Sequence, residues 1–323
     1  MSGGLRAEVS VARVPVTQPP RTRTARSVIP ATRTMSGVCN GTLGELFQGP
    51  VTYRGQAGIG VVSFPVDRYA WAHFTAGAGD AEPLPALPKA ARCVRLFLDR
   101  YGLALPAGSW SRHTELDVGV GMASSTADIV ATLRCLFQLF GQPPDLTALV
   151  EILARIERAD SVFLDEFALY LSDRHEVVAL LGTSVAFHTC YVVEPGVVDT
   201  AAVTPLLQDH YRRRRGAYQA CLDDLRTAFR AGDVPGVARA ATISATLSQE
   251  VLPKLTYDAV LAQRRYFGAD GVFVAHTGRL IGYLFATRPA RKRMDELSAF
   301  FRELGHQCSF ARGGHAWGGH DGA

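Results

Sequence analysis

The sequence VGVGMASSTAD, residues 118–128, joins a glycine-rich turn to an apolar segment. Because Gly119 and Gly121 carry no Cβ, the backbone N–H groups beside them can approach an anion closely. Apolar residues recur at helical spacing from Ile129 to Phe137, which predicts a helix whose unpaired N–H groups and positive dipole end face the turn. The start of such a helix can bind phosphate, and the hydroxyls at 124–126 can also ligate Mg²⁺.

The same pattern has a simpler interpretation, because a helix start rich in glycine and serine is often only an N-cap. The stretch is not a Walker loop, since it has no Gly-Lys-Ser/Thr, and it lacks the third glycine of a dinucleotide fingerprint. It therefore predicts either a phosphate site of another kind or a plain helix cap.

Composition favours a soluble globular protein. The chain has 323 residues, 47% of them hydrophobic, which is enough for one large domain or two ordinary ones. A net charge of +4 is mild and the basic residues form no long face, so the pattern argues against a dedicated nucleic-acid binder. The arginine run at 212–215 is interpreted as a solvated loop or a helix start.

Membrane and disulfide classes are also disfavoured. No stretch reaches the roughly 18 uninterrupted apolar residues of a membrane span. The six cysteines are scattered without paired spacing and no secretory signal precedes them. They are expected to be reduced thiols in a cytoplasmic protein.

Both ends of the chain are expected to lack regular structure. Residues 1–35 are rich in Arg, Thr, Pro and Val with a single acid, Glu8, which is typical of a disordered extension. An organelle transit peptide and a start codon upstream of the one at Met35 are alternative interpretations. Residues 313–323 hold His315 and His320 among glycines without supporting ligands, which favours a flexible tail over a metal site.

Three further stretches carry candidate functional residues. The first, NGTLGELFQG at 40–49, predicts a strand, a tight turn and a second strand, with Glu45 and Gln48 near the turn. The second, ERADSVF at 157–163, places Glu157 and Asp160 before an apolar run, where an acid is otherwise an N-cap or a solvated charge. The third, VAHTGRLIG at 274–282, predicts a hairpin turn, which needs no function of its own.

Together these stretches resemble the GHMP kinases, the family of galactokinase, homoserine kinase, mevalonate kinase and phosphomevalonate kinase. Residues 119–128 are similar to the nucleotide-binding motif of that family. Within it the chain looks most like the L-threonine kinases of cobalamin side-chain synthesis. Those enzymes carry Gly-Glu-Leu/Ile-x-Gln-Gly with Cys/Phe-Pro-Val-Asp, then Glu-Pro-Thr-Asp-Ser and Val-Ala-His-Ser-Gly-Thr-x-x-Gly, and the blocks occur here in the same order, over about residues 36–312.

The resemblance implies an α+β fold of two lobes with ATP between them. Residues 36–194 would form an N-terminal lobe like a domain of a small-subunit ribosomal protein, and residues 195–312 a ferredoxin-like C-terminal lobe. The implied reaction transfers the γ-phosphoryl group of ATP to the hydroxyl of L-threonine, with Mg²⁺ bridging the phosphates. The product, O-phospho-L-threonine, is a precursor of the aminopropanol phosphate of cobalamin. The partner is then a small alcohol or amino acid, neither nucleic acid nor a membrane, and a homodimer is compatible with the resemblance.

The resemblance also assigns roles to residues. Asp160 is the candidate base for the acceptor hydroxyl, and Asp165 is an alternative to which no motif points. Glu157, about one helical turn earlier, is expected either to ligate Mg²⁺ together with Ser125 or to hold Asp160 in place. The implied nucleotide-binding residues are Gly119, Gly121, Met122, Ala123, Ser124, Ser125 and Thr126. The implied acceptor-binding residues are Glu45, Gln48, Asp67, Gln249, His276, Thr277 and Gly278.

Three departures from the family pattern bear on the acceptor. Val120 stands where the family has lysine, Asn40 where it has proline, and Arg158-Ala159 where it has Pro-Thr. Arg158 can replace the cation that is missing at Val120. A kinase for serine, homoserine or a secondary-metabolite intermediate is therefore one alternative, and a pseudokinase that senses nucleotide or metabolite is another. The retained hydroxyls at 124–126, with Glu157 and Asp160, favour an enzyme.

Overall fold

The computed structural model describes residues 33–77, 87–196 and 200–315. The strands in these residues are β1 (Thr34–Tyr53), β2 (Gln56–Ala76), β3 (Gly108–Thr114), β4 (Phe167–Leu171), β5 (Glu176–Gly182), β6 (Ala186–Val193), β7 (Gly271–Val274), β8 (Leu280–Phe285) and β9 (Ser309–Gly314). The helices are α1 (Pro88–Tyr101), α2 (Ser124–Leu139), α3 (Leu146–Ala154), α4 (Thr200–Arg213), α5 (Arg215–Ala231), α6 (Val234–Gln249), α7 (Tyr257–Gln263) and α8 (Arg291–Glu303). This mixture of helices and antiparallel strands confirms the predicted α+β class. None of these helices is long and apolar enough to cross a membrane.

The strands belong to one sheet in the order β1-β7-β8-β6-β9-β2-β4-β5, with β3 paired to β2. Because β1 also pairs with β2, the six strands from β1 round to β2 close into a ring. Two links in this ring are single residue pairs, Glu45 with Val274 and Val66 with Gly313. This sheet contains strands that precede residue 194 and strands that follow residue 195. The predicted boundary between the two lobes at 194/195 therefore stays a prediction.

The long β1–β2 hairpin turns at Arg54 and Gly55. Both residues have positive φ, 51° and 77°, as the hairpin turn that matches strand twist requires. The prediction of a tight turn within 40–49 was wrong, because β1 continues through this stretch as one strand with register shifts. Gly44, at φ 69°, lets β1 approach β7, where a Cβ would lie 2.4 Å from the Cα of Ala275.

Helix α2 lies against the β1–β2 hairpin and nearly all of its residues are buried. A helix that is apolar on all sides is buried in a protein core. The sequence correctly predicted this helix from the spacing of its apolar residues. Gly37 on β1 allows close packing, since a Cβ there would lie 2.0 Å from the carbonyl oxygen of Ala131. The buried Asp128 accepts hydrogen bonds of 2.9 and 2.8 Å from the Arg112 guanidinium, which pairs its charge.

The helices that follow β6 pack against the part of the sheet formed by β6, β7 and β8. Helices α6, α7 and α8 share a core with β6, β7 and β8, in which Val272, Tyr283 and Leu297 are buried. Helix α4 ends at Arg213 and α5 begins at Arg215, so the arginine run contains a helix start, which is one of the two interpretations given for it. Arg214 leaves the helical conformation, at φ −102° and ψ 13°, so the arginine run lies at a junction of two helices.

The predictions for the two ends of the chain fall largely outside the described residues. At the edges of the described ranges, Thr34 belongs to β1, and Gly313 and Gly314 belong to β9.

Candidate active site

A cavity of about 360 Å³ opens at the N-terminus of α2, and it is called the α2 cavity below. Six separate parts of the chain line it: β1, β2 at Val61, the turn before α2 with the first residues of that helix, the segment 157–160, Ser172 and the turn between β7 and β8. Most residues predicted for the site meet here. They are Glu45, Gln48, Gly119, Gly121, Met122, Ala123, Ser124, Ser125, Thr126, Glu157, Asp160, Thr277 and Gly278.

The turn before α2 presents backbone N–H groups to this cavity. Three carbonyl oxygens of the turn, at 120–122, accept hydrogen bonds from the N–H groups of Arg279 (2.8 Å), Gly44 (3.0 Å) and Thr42 (3.1 Å). Because C=O and N–H of a trans peptide point in opposite directions, the N–H groups at 121–123 point away from these partners. The turn is thus anchored by its oxygens and offers its donors to a ligand.

The N-terminus of α2 adds further donors. Its N-cap residue, Ala123, adopts φ 53°, and no side chain caps the helix. The first-turn N–H groups therefore lack a partner in the described structure, and the helix dipole adds positive potential. An uncapped helix start favours the phosphate interpretation of this stretch over the plain N-cap.

Two glycines bring the β7–β8 turn against the loop. A Cβ on Gly121 would lie 2.5 Å from the Cβ of Ala275, and one on Gly278 would lie 2.4 Å from the carbonyl oxygen of Val120. Both positions therefore accept only glycine without rearrangement. The contact holds the 277–278 wall of the cavity at a fixed distance from the anion-binding turn.

Glu157 accepts hydrogen bonds from three side chains near the N-terminus of α2. Its carboxylate accepts hydrogen bonds from Ser125 Oγ (2.7 Å), Thr126 Oγ1 (2.8 Å) and Lys89 Nζ (2.5 Å). The hydroxyls and carboxylate are oxygen donors of the kind that Mg²⁺ takes. No group of three or more His, Cys, Asp or Glu suited to a metal occurs in the described ranges, so an ion here would need oxygens from its ligand as well.

Asp160 carries the strongest electrostatic perturbation in the α2 cavity. Burial raises the pKa of its carboxyl group from 3.8 to about 7, and the nearby carboxylates of Glu45 and Glu157 act in the same direction. The Arg158 guanidinium, which also lines the cavity, opposes this shift in pKa. A carboxyl group whose pKa lies near neutrality is suited to accept a proton at physiological pH.

A hydrogen-bond chain orients the end of the cavity formed by β1. Glu45 Oε2 accepts from the backbone N–H of His276 (2.9 Å) and lies 3.1 Å from His276 Nδ1. Since the carboxylate requires a donor, Nδ1 carries the proton and Nε2 accepts from Ser244 Oγ at 3.0 Å. Ser244 Oγ in turn accepts from the N–H of Gln48 (3.2 Å), whose Nε2 donates to Tyr211 Oη (2.9 Å). Glu45 Oε1 accepts no hydrogen bond from the described residues.

Comparison with known proteins decides the family. Residues 88–171 match the family described as the GHMP kinases N terminal domain. The L-threonine kinase of Salmonella typhimurium is 30% identical over 272 residues, which cover 80% of this chain and 83% of that protein. The chain belongs to the GHMP kinases. The L-threonine kinase of Citrobacter freundii is 27% identical over 76% of this chain and 84% of its own. This GHMP kinase is an ATP-dependent phosphotransferase.

Solved structures of other GHMP kinases share the fold. The phosphomevalonate kinase of Streptococcus pneumoniae aligns with a TM-score of 0.63 at 11% identity, over 87% of this chain and 99% of that one. The homoserine kinase of Cytophaga hutchinsonii aligns with a TM-score of 0.63 at 15% identity, over 86% and 94%. At these identities the likeness concerns the fold alone, and it agrees with the predicted GHMP architecture.

Three residues predicted to bind the acceptor do not line the α2 cavity of this GHMP kinase. Asp67 is held by the Arg312 backbone N–H (2.9 Å) and guanidinium (3.0 Å), at the contact of β2 with β9. Gln249 accepts from the N–H of Lys254 (2.7 Å) and donates to a carbonyl of α6. His276 is 2% exposed and lies behind Glu45. The alternative base Asp165 is exposed and does not line the cavity.

Two lysines near the cavity were not predicted. Lys89, in the first turn of α1, reaches Glu157. Lys254 is buried and its Nζ donates to the carbonyl oxygen of Gly278 (2.9 Å), and burial lowers its pKa. Neither belongs to a glycine-rich or acidic motif, so no local signal in the sequence marks them.

Proposed function

We propose that this GHMP kinase transfers the γ-phosphoryl group of ATP to the hydroxyl of L-threonine, giving O-phospho-L-threonine, or to a closely related amino alcohol. The observation that carries the proposal is the combination of charges around Asp160. Glu45 and Arg158 line the same cavity, and each is close enough to act on the pKa of Asp160. A carboxylate and a guanidinium flanking a proton acceptor suit a zwitterionic amino acid whose hydroxyl must be deprotonated. The two L-threonine kinases among the relatives support the same acceptor.

The donor end of the reaction rests on the turn before α2. The N–H groups at 121–123 and those of the first turn of α2 would hold the β- and γ-phosphates and absorb charge as it develops on their oxygens. Ser125 and Glu157 fit Mg²⁺, because they place a hydroxyl and a carboxylate oxygen within 2.7 Å of each other beside that turn. Held there, the ion would neutralise negative charge on the transferring phosphates.

Asp160 would act on the acceptor. Its carboxylate, ionised above a pKa of about 7, accepts the hydroxyl proton as the oxygen forms its bond to the γ-phosphorus and the bond to the bridging oxygen breaks. Arg158 would pair with the acceptor carboxylate. Glu45, fixed through His276, would receive the acceptor ammonium on its free oxygen, Oε1.

Several predictions accompany this proposal without support from the geometry. They are the homodimer, the cytoplasmic location and the pathway, either cobalamin side-chain synthesis or secondary metabolism. Kinases for serine, homoserine or a secondary-metabolite intermediate and a metabolite-sensing pseudokinase remain the competing functions.

A panel of acceptors separates these functions. The purified full chain would be incubated with ATP, Mg²⁺ and one of L-threonine, L-serine, L-homoserine, 1-amino-2-propanol or 3-hydroxybutyrate, and the phosphorylated product followed by mass spectrometry. We expect L-threonine to give the highest kcat/KM, and both analogues that lack one charged group to lose at least about tenfold, the cost of one charge-assisted hydrogen bond. Equal rates with 1-amino-2-propanol would contradict recognition of the acceptor carboxylate.

The same experiment tests the pseudokinase directly. Binding of ATP would be measured by calorimetry on the same sample. If ATP binds with Mg²⁺ and none of the five acceptors is phosphorylated, the proposal of an L-threonine kinase is wrong.

A further inference from the structure

A second cavity, of about 490 Å³, lies between the end of the β1–β2 hairpin, β5 and the helices α4 and α5. It is separate from the α2 cavity and is called the arginine cavity below. Three guanidinium groups line it, from Arg212, Arg215 and Arg226. Two of these side chains belong to α5, eleven residues and thus three turns apart, on the face of α5 that also carries Gln219 and Leu222.

Little of the positive charge of this cavity is compensated by the described residues. None of the residues that line it is acidic. Within the described chain the Arg226 guanidinium has no hydrogen-bond or ion-pair partner, and Arg215 donates only to Thr52 Oγ1 (3.2 Å). Arg212 pairs with Asp209 at 3.3 Å, but both side chains are exposed and Asp209 is shared with Arg213. Three like charges around one concavity attract an anion.

One part of the remaining wall is apolar, and Thr52, Gln208 and Gln219 belong to the rest. Val51, Ile59, Val178 and Leu222 line the cavity beside the guanidinium groups. Cavities of this size that join an apolar wall to a few convergent polar groups are the usual form of small-molecule sites. The wall suits a hydrocarbon or aromatic body, and the arginines suit a phosphate, sulfonate or carboxylate attached to it.

We propose that the arginine cavity is a second ligand site of this protein, which binds a small organic anion with an apolar body. The inference is independent of the phosphoryl acceptor, because it rests on residues that do not line the α2 cavity.

One side chain connects the two cavities. Tyr211 lines the arginine cavity, and its hydroxyl accepts the 2.9 Å hydrogen bond from Gln48, which lines the α2 cavity. Tyr211 is 4% exposed, so this bond is shielded from water. An anion that moves the Tyr211 ring on one side therefore changes the position of Gln48 on the other.

Binding is tested with 1-naphthyl phosphate, which joins a flat apolar body to a phosphate. The full chain would be titrated with it by calorimetry in the presence of a saturating non-hydrolysable ATP analogue and Mg²⁺. We expect one site, and a dissociation constant at least about tenfold higher in the double variant R215Q/R226Q, because two charge-assisted contacts are lost. The matched control R213Q/R230Q removes the same charge from α4 and α5 outside the cavity and should bind as the unaltered protein does.

Three results would overturn the assignment. Equal weakening in R213Q/R230Q would show non-specific attraction to a basic surface. Loss of the site when the ATP analogue is added would place the probe in the α2 cavity. Inorganic phosphate binding as tightly as 1-naphthyl phosphate would show that the apolar wall takes no part. Thermal melting of both double variants should match the unaltered protein, which confirms that each one folds.

The connection through Tyr211 is tested in the kinase assay, and this step rests on the proposed function. We expect 1-naphthyl phosphate to change KM for L-threonine by at least about fivefold, the lower range of measured couplings between sites. Y211F, which keeps the ring and removes the hydroxyl, should still bind the probe but lose its effect on KM. An unchanged KM in the unaltered protein with the probe bound would overturn the coupling, while the calorimetric result stands without any turnover.

Discussion

The α2 cavity and the arginine cavity have opposite charge and opposite origins in the sequence. Three carboxylates and one guanidinium line the first, whereas three guanidiniums and no carboxylate line the second. The α2 cavity is built mostly from two contiguous stretches, 119–126 and 157–160. The arginine cavity takes two short runs from a hairpin, 50–52 and 57–59, one residue from a strand and spaced residues from two helices.

The difference shows what kind of ligand each cavity can take. Burial, together with the nearby carboxylates of Glu45 and Glu157, raises the pKa of Asp160 to about 7, so the α2 cavity suits a proton acceptor and a bound cation. The arginine cavity has no such group and gains from an anion. Changes to single charges should therefore alter turnover in the first and binding in the second.

The largest effect is expected for Asp160→Asn. Removing the proton acceptor should lower kcat at least about a hundredfold, the scale of positioned proton transfer, with little change in ATP affinity. Rates would be measured with saturating ATP and Mg²⁺, and nucleotide binding by calorimetry. Turnover within a few fold of the unaltered enzyme would exclude Asp160 as the base.

Glu157→Gln should act mainly through the metal. The variant keeps a side chain that can bond Ser125 and Thr126 but loses the negative charge, so we expect the Mg²⁺ concentration for half-maximal rate to rise at least about tenfold. Glu151→Gln is the matched control, since Glu151 lies on α3 at the surface and pairs with Arg100. An unchanged Mg²⁺ requirement in Glu157→Gln would remove Glu157 from the proposed ligands.

Arg158→Gln should move the pH profile. Only the ionised Asp160 accepts a proton, so kcat/KM for the acceptor falls as the pH drops through its pKa, about 7 in the ligand-free protein. The Arg158 guanidinium lowers that pKa, and its removal should shift the acid limb to higher pH and raise KM for L-threonine. Arg155→Gln, an exposed neighbour that does not line the cavity, should leave the limb in place. A shift of the acid limb to lower pH in Arg158→Gln would contradict the predicted direction of the change in the pKa of Asp160.

The sequence predicted the parts of the site that are local in the chain. The loop 119–126 lines the α2 cavity as one contiguous stretch, and its glycines and hydroxyls indicate such a turn in the sequence. Glu157 and Asp160 lie three residues apart, so their joint position could also be predicted. Lys89, Tyr211 and Ser244 could not, because each reaches the site only through tertiary packing and belongs to no motif.

The fold was predictable to a similar extent. The strong apolar period of α2 identified that helix, and the start of α5 at Arg215 agrees with the helix start that was one interpretation of the arginine run. The glycines of β1 indicated a turn, since glycine marks turns and bulges alike. Only the pairing of β1 with β2 and β7 distinguishes the bulge at Gly44 from a turn.

The smallest effect is expected for Asp67→Asn, which repeats the chemistry of Asp160→Asn outside the α2 cavity. Asp67 was predicted to bind the acceptor, yet its carboxylate is held by Arg312 and Arg68 at a partly exposed contact. We expect kcat and KM to stay within about twofold, less than 0.5 kcal/mol in barrier, and the free energy of unfolding to fall by about 0.2–1 kcal/mol, as for exposed ion pairs. Denaturant unfolding and the acceptor assay would be run on both asparagine variants together. A loss of turnover in Asp67→Asn comparable to that in Asp160→Asn would show that the acceptor site reaches β9, and that the cavity seen at α2 is only one part of it.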